Sequence, residues 1–255
     1  MATSYTNMRA PDNSIVRLEC CDRVESCAAI AREHALSGKA DRYAVVSEYD
    51  YKTSGDARGV HISLLLRPSF FPSQAGLLSS LATVAIVEAL AEHTTKRLGI
   101  GWVSNVYCEG KQIGGVTLEG KLDTHTAYEY IIVNFSVKLS EENFPPRLTD
   151  LVKKVFESDN NSVSTIIAKN ILAKFFTYYA TMKNSAKFMH KYHQRFILSG
   201  VKVKLFEDGH RTRGKILSVR TEDCALIVEG KNKEILYLTK PASVIIPKSV
   251  KLSKK

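Results

Sequence analysis

Two short clusters in the sequence hold side chains that commonly bind metals. His190 and His193 lie three residues apart, and Cys20 is followed directly by Cys21. A zinc site needs further nitrogen, sulfur or carboxylate ligands nearby, and neither cluster has them. Adjacent side chains of an extended segment also point in opposite directions. The sequence therefore predicts no metal site, and it contains no P-loop and no nucleophile-elbow serine.

The segment from residue 99 to 120 is the most informative part of the chain. The protein's only tryptophan, Trp102, opens an apolar stretch that includes Tyr107. A Gly110-Lys111 turn follows, and the pair Gly114-Gly115 stands just before an apolar run that ends in Glu119. The turn and its apolar flanks predict a β-hairpin with strands at 100–108 and 112–118.

Periodic apolar residues predict the elements that position this segment. Helical spacing occurs at 23–38, 77–97, 144–156 and 164–196, with a break in the last helix near Asn184. Further strands are predicted at 43–47, 60–67 and 128–139. We expect the last of these to lie at a sheet edge, where it could pair across a homodimer.

A different pattern starts near residue 198. Short alternating runs between 201 and 246 predict a small β-barrel of four or five strands. We therefore divide the chain into a domain of residues 1–197, a β-barrel of residues 198–247 and a basic tail of residues 248–255. From Lys183 onward the chain has 17 Lys and Arg residues and only 6 Asp and Glu residues, so this part supplies the net charge of +10.

The overall composition is that of an ordinary folded protein. Of the 255 residues, 44% are hydrophobic and 24% are charged, which argues against a disordered or collagen-like chain. Five cysteines at irregular spacing favour reduced thiols in a cytoplasmic protein over a disulfide framework. The longest apolar stretch, 77–90, is interrupted by polar residues and is too short to span a membrane, so no membrane association is predicted.

The residue order from 99 to 120 resembles the core of the biotin protein ligases, whose superfamily includes the lipoate ligases. The resemblance covers roughly residues 16–246 and includes a strand that ends in Leu66-Arg67-Pro68. It implies an α+β fold, in which a biotin/lipoate ligase-like catalytic domain (a mixed sheet flanked by helices) precedes a small Src-homology-like β-barrel. No DNA-binding domain is expected before the first strand.

The resemblance also implies a set of site residues. Gln112 stands at the position of the family's essential lysine, which holds biotin and acyl-phosphate oxygens, and Lys111 lies next to it. Adjacent strand residues point to opposite faces, so Lys111 can replace that lysine only if a bulge re-aims it. The ligand-binding positions are Arg58, Lys52, Trp102, Asn105, Gly114, Gly115, Asn134 and Ser136.

Five ligand-facing motifs depart from the family pattern. Besides Gln112, Asn105 replaces the acid of a Trp-Pro-Asn-Asp run. Asp56 stands at the first arginine of a Gly-Arg-Gly-Arg loop, where a carboxylate repels phosphate. Arg23-Val24 replaces a Ser-Thr pair, and a Gly-x-Gly-x-Asn strand reads Asn134-Phe135-Ser136-Val137-Lys138.

Three hypotheses follow. In the first, a biotin-ligase-like protein has lost most or all ATP-dependent biotinyl transfer to a carrier lysine and keeps a binding or regulatory role. In the second, an active ligase or acyltransferase uses Lys111, Lys52 and Arg58, forms an acyl-adenylate from biotin or another carboxylic acid, and docks an acidic carrier domain on its basic end. Biotin, ATP and Mg²⁺ are the ligands that the resemblance implies.

The third hypothesis is a nucleic-acid or partner-binding module centred on Lys183 to Lys255. Aromatic residues are sparse there, which disfavours base stacking and makes nucleic-acid binding a minor hypothesis.

Overall fold

The computed structural model describes residues 3–70, 72–139, 163–207, 210–240, 244–246 and 250. The described strands form two sheets. The strands are β1 (Thr3–Arg9), β2 (Ile15–Val24), β3 (Tyr43–Asp50), β4 (Gly59–Leu66), β5 (Leu98–Gly101), β6 (Asn105–Cys108), β7 (Lys111–Leu122), β8 (Tyr128–Lys138), β9 (Lys202–Glu207), β10 (His210–Val219), β11 (Leu226–Glu229), β12 (Ile235–Leu238) and β13 (Val244–Ile245). The helices are α1 (Cys27–Leu36), α2 (Tyr51–Ser54), α3 (Ala75–Ala91), α4 (Val163–Tyr179) and α5 (Ala186–Arg195).

The larger sheet is mixed and has the strand order β1-β2-β3-β4-β8-β7-β6-β5. Only β2 and β3 pair in parallel, and α1 is the crossover between them. The smaller sheet is antiparallel, with the order β12-β11-β10-β9-β13. This arrangement confirms the predicted combination of a mixed sheet with helices and a C-terminal β unit.

Alternation along the central strands separates a dry face from a polar face. On β4, β8 and β7, the adjacent residues Ile62, Phe135 and Val116 share one register row and are buried. Phe135 packs edge-on against Phe175 of α4, with ring centroids 5.6 Å apart. Because successive strand residues point to opposite faces, their neighbours His61 and Ser136 must lie on the other side of the sheet.

Helix α3 is mostly apolar and is buried along nearly its whole length in the core. By length and composition the stretch Pro72–Ala91 could cross a membrane, but 72% of its most apolar window is buried inside the protein. Its buried hydroxyls are satisfied within the helix, since Ser80 donates to the Gly76 carbonyl at 2.8 Å and Thr83 to the Ser79 carbonyl at 2.7 Å. These features are those of a core helix.

Several predicted boundaries are wrong by a few residues. Helix α1 begins at Cys27 rather than Arg23, because the Ser26 hydroxyl accepts the Ala29 N–H and caps the helix there. Helix α3 ends at Ala91 rather than Arg97, and the predicted strand 100–108 is divided into β5 and β6. Strand β1 is not predicted at all. The break near Asn184 is confirmed, and the predicted helix at 144–156 lies outside the described residues.

Strand β8 is not the sheet edge that we predicted. It pairs with β4 on one side and β7 on the other, so its backbone groups are occupied. The described ends of this sheet are β1 and β5. Pairing across a dimer through 128–139 is therefore excluded, and a homodimer stays a prediction without an assigned surface.

The two sheets share one continuous hydrophobic core. Trp102 is 2% exposed, and its Nε1 donates to the Cys224 carbonyl of the C-terminal unit at 2.7 Å. Cys224 Sγ also lies 2.6 Å from Ser80 Oγ of α3. Through these buried contacts the C-terminal sheet packs against α3 and the first sheet. The domain limits at residues 197 and 247 stay predictions.

We expect Trp102→Phe to lower the free energy of unfolding, because it leaves the buried Cys224 carbonyl without its donor. Leaving this buried carbonyl without a hydrogen bond costs about 1–3 kcal/mol of the free energy of unfolding. Urea titration followed by circular dichroism measures the change. Tyr5→Phe, at a side chain that is 71% exposed, is the control and should change stability by less than about 0.5 kcal/mol. Equal stability of the two variants would contradict this role of Trp102.

Candidate functional site

A cavity of about 610 Å³ lies on the polar face of the larger sheet. Its floor is formed by β4, β7 and β8, and its walls by the first turn of α1, the segment from Asp50 to Thr53 and the start of β7. Polar side chains lie together there because side chains alternate between the two faces of the three strands, and the apolar ones point into the core on the other face.

Two register rows make up the floor. In the first, Ser136 lies between His61 and Gly115, and in the second, Asn134 lies between Ser63 and Thr117. All of these residues line the cavity. The predicted ligand positions Gly115, Asn134 and Ser136 are thus brought together by strand register alone.

His61 is held as a neutral imidazole beneath the cavity. Its Nδ1 lies 3.1 Å from Ser136 Oγ, and its Nε2 lies 3.1 Å from Ser54 Oγ. Burial lowers the pKa of His61, and the charge of Lys138 acts in the same direction while Asp50 opposes it. With both ring nitrogens occupied, His61 orients the floor hydroxyls rather than presenting a free base.

A second chain of hydrogen bonds crosses the other end of the floor. Ser63 Oγ donates to Asn134 Oδ1 at 2.7 Å, and Asn134 Nδ2 donates to Glu119 Oε1 at 3.4 Å. Arg32 of α1 donates to Glu119 Oε2 at 2.5 Å. The Glu119 carboxylate therefore borders the cavity with its negative charge paired to Arg32.

Asp50 fixes the wall where α1 begins. One carboxylate oxygen accepts the Cys27 N–H at 2.8 Å, and the other accepts the Thr53 N–H at 3.0 Å. The pKa of the Cys27 thiol lies well above its usual range because the thiol is buried and faces Asp50. Cys27 is thus a protonated thiol and not a nucleophile.

Gln112 lines the cavity, and its amide nitrogen donates to Asn105 Oδ1 at 3.1 Å. The pairing of β6 with β7 shifts between Val106 and Tyr107, so that Ile113 is an extra residue opposite this step. This bulge lets Gln112, Ile113 and Gly114 all border the cavity. It does not bring Lys111 there, since that residue is not among those that line the cavity.

Two lysines, Lys52 and Lys138, line the cavity. Lys52 is one of the predicted ligand-binding residues, whereas Lys138 is not, although it belongs to the altered Asn134–Lys138 motif. Neither lysine side chain forms an ion pair with any residue that the structure describes. Arg58 lies outside the lining and pairs with Glu48 instead.

Trp102, Gly114 and Gly115 contribute to the packing around the cavity. Trp102 is buried behind the cavity and is not part of its lining. A Cβ at Gly114 would lie 2.0 Å from the Ser136 carbonyl oxygen, and one at Gly115 would lie 2.5 Å from the Ser104 carbonyl oxygen. The two glycines therefore allow β7 to lie against its neighbours.

Sequence reasoning missed several lining residues. Arg23-Val24 replaces the family's Ser-Thr pair, but Ser26, three residues after Arg23, lines the cavity. Arg23 itself lies outside the lining and donates to the Tyr51 hydroxyl at 3.0 Å. His61 and Arg32 were also missed. The alternation of His61 and Ser63 with apolar residues on β4 is the signal that could have identified the first of them. Among the described residues, no group of three or more His, Cys, Asp or Glu could hold a metal ion.

Comparison with solved structures identifies the fold. The chain is similar to the biotin protein ligase of Aquifex aeolicus, with a TM-score of 0.66 and 19% identity, over 89% of this chain and 97% of that one. A further structure of that ligase holds biotin and ATP. A biotin protein ligase-like protein of unknown function from a Silicibacter species gives a TM-score of 0.62 and 13% identity, over 92% and 97% of the chains. The predicted biotin ligase-like fold is confirmed.

Sequence similarity to curated proteins is confined to part of the chain. The bifunctional ligase/repressor BirA of Bacillus subtilis is 25% identical over 111 residues, which are 43% of this chain and 34% of that protein. The chain thus matches about a third of the length of this relative. No model of a known protein family matches the chain.

Gly114→Ala should destabilise the protein by about 1–3 kcal/mol or more, because the new methyl group meets backbone atoms that cannot turn aside. Thr117→Ala, at an exposed position of the same strand, is the control and should cost less than about 1 kcal/mol. Thermal and urea unfolding measure both changes. A stable Gly114→Ala protein would show that β7 has room to move.

The lowered pKa of His61 predicts a pH-dependent stability. Below about pH 6.5 the unfolded chain binds a proton at His61 that the folded protein does not, so acid lowers the free energy of unfolding. The fall between about pH 7.5 and pH 5 should be smaller in His61→Gln than in the unmodified protein. Urea titrations at both pH values test this, and the same fall in both proteins would mean that His61 is not held neutral by the fold.

Proposed function

We propose that the protein is a divergent member of the biotin protein ligase group that binds a small carboxylic acid of the biotin type but does not convert it efficiently to an acyl-adenylate. The observation that carries the proposal is the pairing of Gln112 with Asn105 on the cavity wall. By the family resemblance, these two positions hold a lysine and an acid in working ligases.

Activation of a carboxylic acid by ATP concentrates negative charge on carboxylate and phosphate oxygens. Enzymes stabilise such charge with fixed donors, and removal of one donor typically costs about 10² to 10³ in rate. The Gln112 amide carries no net charge, and one of its N–H groups is already donated to Asn105. Asp56, the acid in the loop whose family counterpart is cationic, does not line the cavity. The missing charge at Gln112 therefore carries the argument, and it opposes adenylate formation more strongly than it opposes binding.

The floor of the cavity supports binding of a neutral polar ring. A cyclic urea presents two N–H donors and a carbonyl acceptor, and the floor offers the hydroxyl of Ser136, the amide of Asn134 and the carboxylate of Glu119. Fixed by His61, Ser63 and Arg32, these groups lose little freedom when a ligand binds. The side chains of Asn134 and Ser136 also fill space that glycines leave open in the family, so we expect weaker or altered ligand preference.

A second candidate function is that of an active ligase with relocated cations. Lys52 and Lys138 favour it, since both reach the cavity without an ion-pair partner among the described residues. In that case the protein would adenylate some carboxylic acid with ATP and Mg²⁺ and transfer it to an acidic carrier domain in the cytoplasm. The described residues provide no cluster of metal ligands, so Mg²⁺ would be brought by the nucleotide.

Calorimetric titration with biotin, lipoate and octanoate, each with and without Mg-ATP, tests the proposal. We expect one of the acids to bind and its affinity to be unchanged by Mg-ATP. Tight binding that depends on Mg-ATP would instead support the active ligase, and the absence of any heat would exclude a ligand of this class.

Gln112→Lys should increase acyl-adenylate formation by about 10² to 10³ over the background rate, because it restores a charged donor to the cavity wall. Release of pyrophosphate with each acid measures the rate. Gln112→Ala is the control and should leave the background rate unchanged. A high rate in the unmodified protein that Lys138→Gln abolishes would contradict the first proposal and favour the second candidate.

A further inference from the structure

The outer face of the C-terminal sheet carries four cations in two cross-strand pairs. Lys202 of β9 lies opposite Lys215 of β10, and Lys204 lies opposite Arg213. All four side chains are exposed. Directly opposed residues project to the same face, with Cβ atoms about 5 Å apart, and the two pairs are about 6.6 Å apart along the strands. The face therefore holds a compact square of like charge.

As far as the structure describes the chain, these four cations are not held in ion pairs. None of them forms an ion pair or a side-chain hydrogen bond with any other residue in the described part of the chain. The acid on this face is Glu229, which lies opposite Lys215 on β11. Like charges placed directly opposite each other on a sheet are destabilising. A local cost that the described residues offset only through Glu229 is typical of a surface used for binding.

Exposed apolar side chains border the square. Ile245 of β13 lies opposite Lys204, and Ile235 of β12 lies opposite Glu229. They are 54% and 47% exposed, and Tyr237, two residues along β12, is 54% exposed. A groove of about 650 Å³ runs over the four cations, Glu229 and Ile245. The face thus combines a basic centre with an apolar rim.

We propose that this face, defined by Lys202, Lys204, Arg213, Lys215, Ile235 and Ile245, is a docking surface for an acidic protein segment that also carries apolar side chains. Charge complementarity selects an acidic partner, and the exposed isoleucines give it apolar contacts that a polyanion without side chains cannot use. The proposal goes beyond the ligand cavity and does not depend on which acid binds there.

Nucleic acid fits this surface less well. Aromatic rings that could stack on bases are missing from the residues that line the groove, as far as the structure describes them. One face of the Tyr237 ring, on β12, is occupied by the guanidinium of Arg220, which lies 4.9 Å from the ring centroid.

Fluorescence anisotropy of the full chain with three labelled probes tests the proposal. The probes are an acidic peptide rich in Glu and Leu, a poly-Glu peptide of equal charge, and a single-stranded oligo-dT of equal charge. We expect the Glu/Leu peptide to bind most tightly and binding to weaken as salt rises. Tighter binding of oligo-dT at the same salt concentration would overturn the proposal in favour of nucleic acid.

Matched variants locate the binding surface. Lys204→Gln combined with Arg213→Gln should weaken binding of the Glu/Leu peptide about tenfold, since each partly screened contact contributes up to about 1 kcal/mol. Ile235→Ser combined with Ile245→Ser should weaken that peptide but leave poly-Glu unchanged. Lys183→Gln combined with Lys187→Gln changes the net charge equally at the start of α5 and is the control. Equal weakening by the control pair, or no effect of the isoleucine pair, would show that net charge alone attracts the peptide and would overturn the proposal.

Discussion

The strict alternation of side chains along β4, β7 and β8 is the constraint on which the rest of the structure depends. One set of alternate residues, including Ile62, Phe135 and Val116, is required by the core beneath α3 and α4. The residues between them on each strand therefore point to the opposite face of the sheet. Helix α1 covers only part of that face. The part of that face that α1 leaves uncovered is the cavity. Its floor is polar because the apolar residues of the same strands point into the core on the other face.

The cavity combines a hydrogen-bonded polar floor with a wall that is uncharged at Gln112 and Asn105. Its hydrogen-bonded floor is complete: Ser136 and Ser54 occupy both nitrogens of His61, and Glu119 is compensated by Arg32. The wall at Gln112 and Asn105 is a neutral amide pair. Binding requires shape and matched hydrogen bonds, whereas activation of a carboxylic acid requires charge at a fixed position. A site of this kind can lose activation without losing binding.

Much of the fold could be predicted from the sequence, because apolar periodicity and the resemblance at 99–120 agree with each other. Element ends were less predictable, since they depend on single contacts such as the Ser26 cap of α1. Strand β1 has an exposed, mostly polar sequence that becomes a strand only by pairing with β2. Seven of the predicted site residues line the cavity, namely Gln112, Asn105, Gly114, Gly115, Asn134, Ser136 and Lys52, whereas Lys111, Arg58 and Trp102 do not. Their roles in ligand binding stay predictions. Strand register decides the placements on β7 and β8, and the bulge at Ile113 decides those of Gln112 and Lys111. Neither can be read from the sequence alone.

Biotin-dependent exchange of labelled pyrophosphate into ATP by the unmodified protein tests the central claim most directly, because it reports reversible adenylate formation without any carrier protein. It should be run at biotin concentrations that calorimetry shows to be saturating. Our account predicts a bound acid with exchange no faster than in a reaction without protein. Rapid, biotin-dependent exchange would contradict the account and show that the cavity activates its ligand despite Gln112.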